Sequence, residues 1–310
     1  MIKAVNQASL SVYAYLLIYY RVPMSSKSIW ITGLILSTLA THLTLRERVS
    51  AQESHRPELW QDIGPGELTL TLSGLIGLGV LQVWGDQWLG SSQPSMGPPA
   101  EGSHDLRFSR WAHPSFNPKD QWLWGTPDLM GYIAPAVTLT YYVGGSVVSG
   151  GAGWGGAHPH EALAFTQGLS WAMFSTVLLK HLVGRERPYV IRGRRGEIDS
   201  SAVDMPESEQ RLSFPSGHST AIAATSFFVA ADLSDALITG PLKKREPWVQ
   251  AAVGRVLPYL GASAMSWFVM YSRVKDQRHW LSDTLTGALI GVTSALLSYH
   301  THFNSRGQPY

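Results

Sequence analysis

Apolar runs separated by charged loops recur along the whole chain. Six of these runs are close to the length that a membrane-spanning helix needs, and none has Lys or Arg at its middle. The pattern predicts an all-α helical bundle of six transmembrane helices, although the buried helices of a soluble bundle would give similar runs. The six runs cover approximately Leu68–Val83, Tyr132–Val148, Ala162–Val183, Thr220–Leu233, Leu257–Tyr271 and Leu285–Tyr299.

The first 60 residues add two apolar stretches, about Ala8–Tyr20 and Ile29–Leu45. Met24 lies just before the second stretch and could be the true start of the chain. Read from Met24, the segment resembles a signal peptide that is cleaved near Val49–Ala51, whereas the charged residues Arg46–Arg48 favour a retained anchor. Both interpretations stay open, and we predict an N-terminal signal or anchor region over residues 1–60 and a main domain over residues 61–310.

The connecting segments carry two further signals. Trp111, Phe116, Trp122 and Trp124 alternate with charges, which predicts either an amphipathic segment at a membrane interface or a half-buried loop. The glycines between residues 150 and 156 predict a flexible hinge.

Composition narrows the class of protein. Charged residues make up 15% of the chain, well below the usual quarter, which favours contact with lipid over a fully solvated surface. A formal net charge of +2 is too small to indicate a nucleic-acid partner. The chain has no cysteine, which excludes a disulfide framework, a thiolate metal site and a cysteine nucleophile.

The first candidate segment for chemistry lies where the third apolar run ends. Lys180 and Arg187 are seven residues apart, which is two helical turns, so both side chains can point the same way. Pro188 ends the helix. Taken alone, these residues are typical of a helix end whose cations reach toward water.

The second candidate segment, Pro215 to His218, comes just before the fourth apolar run. Pro215 and Ser216 are good helix-start residues, and a helix start offers free backbone N–H groups to an anion. Gly217 allows the backbone to approach a ligand closely, and His218 can donate a proton near neutral pH. Most such triplets, taken alone, are simply helix caps.

The third candidate segment contains Arg273, His279 and Asp283. His279 and Asp283 are four residues apart and would share one face of a helix. We therefore expect Asp283 to accept a hydrogen bond from one ring nitrogen of His279, which leaves the other nitrogen as a nucleophile. A structural His–Asp pair at a helix start is the alternative.

Together the three segments supply permanent cations, a helix start, two histidines and one carboxylate, each where an apolar run meets a polar loop. Helix ends on one side of a bundle can converge on one pocket, and such a pocket suits phosphoryl transfer. No carboxylate cluster for Mg²⁺ is apparent, so we predict no metal site, and the cations would have to do the work of a metal.

These segments resemble the three-part signature of the type 2 phosphatidic acid phosphatase (PAP2) superfamily, which includes vanadium haloperoxidases and a six-helix membrane branch of lipid phosphatases. All three parts occur in the family's order, without a departure at a catalytic position. The matching residues are Lys180-x6-Arg187-Pro188, Pro215-Ser216-Gly217-His218 and Ser272-Arg273-x5-His279-x3-Asp283.

The resemblance implies a role for each residue. His279 would attack phosphorus and form a phosphohistidine, Asp283 would orient it, and His218 would protonate the leaving oxygen. The phosphate oxygens would be bound by Lys180, Arg187, Ser216, Gly217 and Arg273. Five other arginines are expected to be solvated charge rather than ligands of a second phosphate: Arg185, Arg192, Arg194, Arg195 and Arg278.

The resemblance also implies a metal-independent phosphatase without a cofactor, although vanadate could occupy the phosphate site. The expected substrate is a phosphorylated lipid such as phosphatidate, phosphatidylglycerol phosphate or a polyprenyl diphosphate. A vanadium-dependent haloperoxidase and a non-catalytic membrane protein of the same fold are the alternatives. The oligomeric state stays open.

Orientation depends on the basic residues. Lys243–Arg245 and Arg255 flank the loop between the fourth and fifth runs, and the positive-inside rule would place that loop in the cytoplasm. Gly184–Phe214 and Ser272–Ser282, on the opposite side, are also rich in arginine, so charge alone is ambiguous. In the membrane branch of the resembling family the site faces the periplasm or the exterior, which agrees with a cytoplasmic loop. We therefore expect an integral protein of a bacterial inner membrane with a periplasmic site.

Overall fold

The computed structural model describes residues 65–89, 97–113, 126–148, 159–199 and 207–304. The predicted signal or anchor region, the glycine hinge, and Phe116, Trp122 and Trp124 lie outside these ranges. Within them the named elements are helical. They are α1 Pro65–Leu89, α2 His104–Ala112, α3 Thr126–Val148, α4 Pro159–Val183, α5 Pro188–Arg194, a 3₁₀ turn Glu207–Arg211, α6 Gly217–Thr239, a helical turn Pro247–Val249 that continues as a π-helix Gln250–Val256, α7 Leu257–Lys275 and α8 Leu281–His302.

The six long helices α1, α3, α4, α6, α7 and α8 correspond to the six predicted apolar runs, which confirms the all-α bundle. Four stretches are long and apolar enough to cross a membrane by length and composition: Pro65–Gly85, Pro159–Arg194, Gly217–Thr239 and Leu281–His302. Within the described ranges, α3 and α7 fall short of that measure.

Large apolar side chains on α1 and α8 point outward. Leu72 and Ile76 are 54% and 63% exposed, and Leu289 is 66% exposed. Rows of exposed leucine are costly in water, whereas lipid tails solvate them. The length, the apolarity and these outward faces are those of an integral membrane protein.

The core between α3, α4, α6 and α8 is aromatic. Tyr142, Phe165, Phe228 and Tyr299 are buried and pack mostly edge to face, with ring centroids 5.4 to 5.8 Å apart. The Tyr142 hydroxyl donates to Asp232 at 2.8 Å, so this tyrosine brings its polar end into the core with a partner.

Glycine brings α6 and α8 into backbone contact. A Cβ added at Gly287 would lie 2.4 Å from the carbonyl oxygen of Ser216, and one at Gly291 would lie 2.3 Å from that of Thr220. Small residues four apart let membrane helices approach this closely. The Thr220 hydroxyl also lies 2.9 Å from that of Thr176 on α4. The start of α6 is therefore fixed against both neighbouring helices.

The connectivity places four helix ends together. Because α6, α7 and α8 alternate in direction, the end of α4, the start of α6, the end of α7 and the start of α8 lie at one end of the bundle. The basic loop that contains Lys243–Arg245 lies at the other end.

Candidate active site

His279 lies in the short turn between α7 and α8 and is only 2% exposed. Its Nδ1 is 2.7 Å from the backbone carbonyl oxygen of Ser213, and its Nε2 is 3.3 Å from Nη1 of Arg187. A carbonyl oxygen can only accept, so Nδ1 carries the hydrogen; a guanidinium can only donate, so Nε2 presents its lone pair. Both contacts select the same neutral tautomer, in which Nε2 is unprotonated and its lone pair faces Arg187.

Asp283 does not make the expected hydrogen bond to His279. Its Oδ2 lies 3.8 Å from Nδ1, beyond hydrogen-bond range, and accepts instead from the Ser213 hydroxyl and from the backbone N–H of Trp280 at 2.9 Å. The reason is that α8 begins at Leu281, so His279 precedes the helix and the spacing of four does not place the two side chains on one face. Asp283 thus caps the helix and holds Ser213, whose carbonyl holds His279.

Backbone carbonyls of Glu209–Ser213 hold three of the predicted site side chains. Nε of Arg187 donates to the carbonyl of Glu209 at 2.8 Å, and Nζ of Lys180 donates to that of Leu212 at 3.1 Å. The carbonyl of Ser213 accepts from His279. The segment is itself fixed, since the N–H of Ser213 donates to the carbonyl of Arg185 at 3.0 Å. This segment lies between the first and third motifs, and its carbonyls orient the side chains of Lys180, Arg187 and His279.

The cations converge on the nucleophile. Burial, followed by the charges of Arg187, Lys180 and Arg273, holds the pKa of His279 well below its usual range, and His218 contributes in the same direction. The imidazole is therefore neutral at physiological pH. Arg187 and Arg273 are 4% and 2% exposed, so their charges act with little screening by water. The arrangement can hold an anion that carries more than one negative charge.

The second motif forms the start of α6. Ser216 is its N-cap, with its hydroxyl oxygen accepting from the N–H of Ser219 at 3.4 Å, and the N–H of Ser216 donates to the carbonyl of Asp283 at 3.0 Å. A Cβ at Gly217 would lie 3.9 Å from Cε of Lys180, which places this backbone beside the lysine. The link between Ser216 and Asp283 joins the second motif directly to the third.

The His218 ring lies against α3. It meets Tyr132 edge to face with centroids 5.0 Å apart, and a Cβ at Gly131 would lie 2.4 Å from its Cδ2. A side chain at residue 131 would displace the His218 ring, so this position of the ring requires glycine at residue 131. All eight predicted site residues thus lie at one end of the bundle, and their catalytic roles stay a prediction.

Arg185 is not solvated, contrary to the expectation from the sequence. It is 5% exposed, its Nη1 donates to Asp283 at 2.5 Å, and its guanidinium lies over the Trp280 ring at 5.6 Å. Arg192 is also buried, at 1% exposure. By contrast, Arg194 and Arg195 pair with Glu186 and Glu101 at the surface.

Sequence comparison places this geometry in a family. The sequence model of the PAP2 superfamily matches residues 161–306, which contain all eight site residues. Residues 161–306 belong to the PAP2 superfamily. The resemblance seen in the three motifs is thereby confirmed.

Similar proteins carry the names of phosphatases. A PA-phosphatase related-family protein of Dictyostelium discoideum is 30% identical over 146 residues, which cover 47% of this chain and 50% of that protein. A putative phosphatidate phosphatase of Drosophila melanogaster is 40% identical over 89 residues, 29% of this chain and 21% of that protein. Phospholipid phosphatase 1 of Rattus norvegicus is 31% identical over 147 residues, 43% of this chain and 49% of that protein.

The chain spans about half the length of these relatives, or less. Among solved structures, it is similar to a transmembrane PAP2 type phosphatidylglycerolphosphate phosphatase from Bacillus subtilis. That likeness has a TM-score of 0.43 and 21% sequence identity, and it covers 75% of this chain and 93% of the bacterial one.

Proposed function

We propose that this chain is a metal-independent phosphatase that removes phosphate from a lipid ester through a phosphohistidine intermediate. The observation that carries the proposal is the state of His279. Its Nδ1–H is held by Ser213, and its Nε2 lone pair lies 3.3 Å from the guanidinium of Arg187. A neutral imidazole whose unprotonated nitrogen faces fixed cations is a nucleophile placed where a phosphate dianion would bind.

In the first step, Nε2 of His279 attacks phosphorus and the bond from phosphorus to the ester oxygen breaks. His218 donates a proton to that oxygen, so the lipid leaves as an alcohol. Lys180, Arg187 and Arg273 stabilise the charge on the three other phosphate oxygens. In the second step, water attacks the phosphohistidine and gives a proton to His218, the phosphorus–nitrogen bond breaks, and inorganic phosphate leaves.

A phosphorylated lipid is the proposed class of substrate. The site lies at the ends of helices long enough to cross a membrane, and the outer faces of α1 and α8 present apolar side chains. A lipid in the surrounding bilayer could present its phosphate at this level while its chains stay among apolar neighbours. The names of the relatives, a phosphatidate phosphatase and a phospholipid phosphatase, support the same class.

The site is proposed to face the periplasm or exterior of a bacterial inner membrane. The loop with Lys243–Arg245 lies at the opposite end of the bundle, and the positive-inside rule favours the cytoplasm for a short loop with this charge.

Phosphate release from a panel of lipids tests the function. Purified protein in detergent is given phosphatidate, phosphatidylglycerol phosphate, a polyprenyl diphosphate and a water-soluble monoester, with and without EDTA. We expect EDTA-resistant hydrolysis of at least one lipid, its loss in His279→Ala, and its retention in His300→Ala, whose histidine is exposed at the far end of α8. Hydrolysis of the soluble ester alone, or halide oxidation with added vanadate and peroxide in place of phosphatase activity, would contradict the proposal.

A further inference from the structure

Helix α2 lies outside the segment that the PAP2 family model matches, and none of the three motifs includes it. Nevertheless, its first turn reaches the start of α8. The Asp105 carboxylate accepts from the backbone N–H of Ser282 at 2.8 Å, from the hydroxyl of Ser282 at 2.6 Å and from Nη2 of Arg185 at 2.8 Å. The Asp105 side chain on α2 therefore binds both the N-terminus of α8 and Arg185, the arginine that pairs with Asp283.

The contacts continue without a break from Arg185 to the nucleophile. Nη1 of Arg185 donates to Oδ1 of Asp283, and Oδ2 of Asp283 accepts from the Ser213 hydroxyl. The carbonyl of Ser213 then accepts Nδ1–H of His279. Asp105 is 80 residues from Arg185 in sequence and begins this chain of hydrogen bonds, of which those to the two carboxylates are charge-assisted.

A second contact ties α2 to the same turn. The Ser109 hydroxyl donates to Oε1 of Gln277 at 2.7 Å, and Nη1 of Arg192 donates to the same oxygen at 2.8 Å. Gln277 is fully buried, has a φ of 57°, and lies two residues before His279. A residue other than glycine keeps such a positive φ where the surrounding contacts hold it in place. Helix α2 thus fixes the nucleophile's turn from two sides.

Asp105 is suited to this role because it stays charged. Burial acts to raise its pKa, but the hydrogen bonds from Ser282 and Arg185 outweigh burial and hold the pKa below its usual range. The carboxylate is therefore ionised at neutral pH.

We infer that Asp105 on α2 is a positioning residue of the site, acting through Arg185, Asp283 and Ser213 to fix His279 for attack. The inference rests on the proposed function, since it concerns the same nucleophile. It makes helix α2, which lies outside the family match, a functional part of the site. The prediction is specific: loss of Asp105 slows the chemical step and leaves the phosphate-binding cations in place.

Asp105→Asn is the direct test because it keeps the shape and removes the charge. We expect kcat to fall about 10- to 100-fold with KM within about threefold, and the inhibition constant of inorganic phosphate, which the cations would bind without a bond to His279, to stay within the same range. The matched control is Glu101→Gln, a nearby carboxylate that pairs with Arg110 and Arg195 at the surface and is expected to keep full activity. Each kcat is divided by the folded fraction measured on the same sample.

A double variant tests the shared route. Because Asp105 acts in part through Arg185, Asp105→Asn should lower kcat by a smaller factor in the Arg185→Lys background than it does in the unaltered protein. Multiplied losses would overturn the inference, as would Asp105→Asn activity equal to that of Glu101→Gln or a loss explained wholly by unfolding. If the unaltered protein released no phosphate, the proposed function would fail instead.

Discussion

The nucleophilic candidate His279 is held at Nδ1 by the backbone carbonyl of Ser213 at 2.7 Å, while the Asp283 carboxylate lies 3.8 Å away. The group that fixes the tautomer is therefore a peptide oxygen, which no side-chain substitution removes. Asp283 acts on His279 indirectly, because it accepts a hydrogen bond from the Ser213 hydroxyl and pairs with Arg185.

Asp283 and Ser213 should therefore differ sharply on substitution. Asp283→Asn removes one of the two carboxylates that pair with the buried Arg185, while Asp105 keeps its contact, and breaking a buried ion pair costs up to about 3–5 kcal/mol of stability. We expect a large loss of both stability and kcat. Ser213→Ala loses the hydroxyl that joins Ser213 to Asp283 but keeps the carbonyl, so it should cost only about 1 kcal/mol of stability while it lowers kcat by about as much as Asp105→Asn does.

Thermal unfolding and phosphate release of both variants, measured side by side, check this prediction. Equal effects of the two substitutions would show that Asp283 acts through Ser213 alone, contrary to its contact with Arg185.

Activity should depend on pH in a bell shape that extends unusually far to the acid side. His279 must be neutral to attack, and its pKa is held well below the usual value of about 6.5 by burial and by the nearby cations. A lowered pKa means that the neutral form survives as pH falls, so kcat/KM should hold below about pH 6 before it declines. The alkaline limb follows loss of the proton that His218 donates. A profile of kcat/KM against pH that is flat, or that falls on the acid side at the ordinary histidine pKa, would count against these roles.

Gly131→Ala should impair catalysis by moving His218. The added Cβ would lie 2.4 Å from the imidazole Cδ2, which forces the ring away from its place against Tyr132. When His218 is displaced, the leaving oxygen has no proton donor, so we expect kcat to fall about tenfold or more. Gly144→Ala on the same helix is the control, because no atom lies within 4 Å of its added Cβ. Equal kcat values in the two variants would refute the placement of His218.

Gly287→Ala should destabilise the bundle at the site. Its added Cβ would meet the carbonyl oxygen of Ser216 at 2.4 Å, a backbone atom that cannot move without shifting the start of α6. Overpacking of this kind typically costs about 1–3 kcal/mol. Gly79→Ala on α1, where nothing lies within 4 Å, should unfold like the unaltered protein in a thermal melt in detergent. A melt of Gly287→Ala that coincides with this control would contradict the close contact of α6 and α8.

The sequence was informative where side chains at fixed spacing carry the chemistry. The apolar runs predicted the six long helices, and the three motifs predicted which residues would meet at one end of the bundle. The expected contact between His279 and Asp283 was wrong because the spacing rule assumes one continuous helix, and α8 begins only after His279.

Two parts of the site had no signal in the local sequence. The carbonyls of Glu209, Leu212 and Ser213 orient the site through the backbone, which any residue type supplies. Arg185 resembles a solvated charge at a helix end, and its burial depends on Asp105, which is 80 residues distant. Only the folded chain brings that partner to it.

Trapping the phosphorylated intermediate tests the central claim most directly. Purified protein is mixed with a lipid substrate labelled in its phosphate, quenched within the first turnover and analysed for protein-bound label. We predict acid-labile, base-stable label on His279, its absence in His279→Gln, and its presence in His300→Gln. Phosphate release by the unaltered protein without any label on His279, or equal release by His279→Gln, would contradict the account.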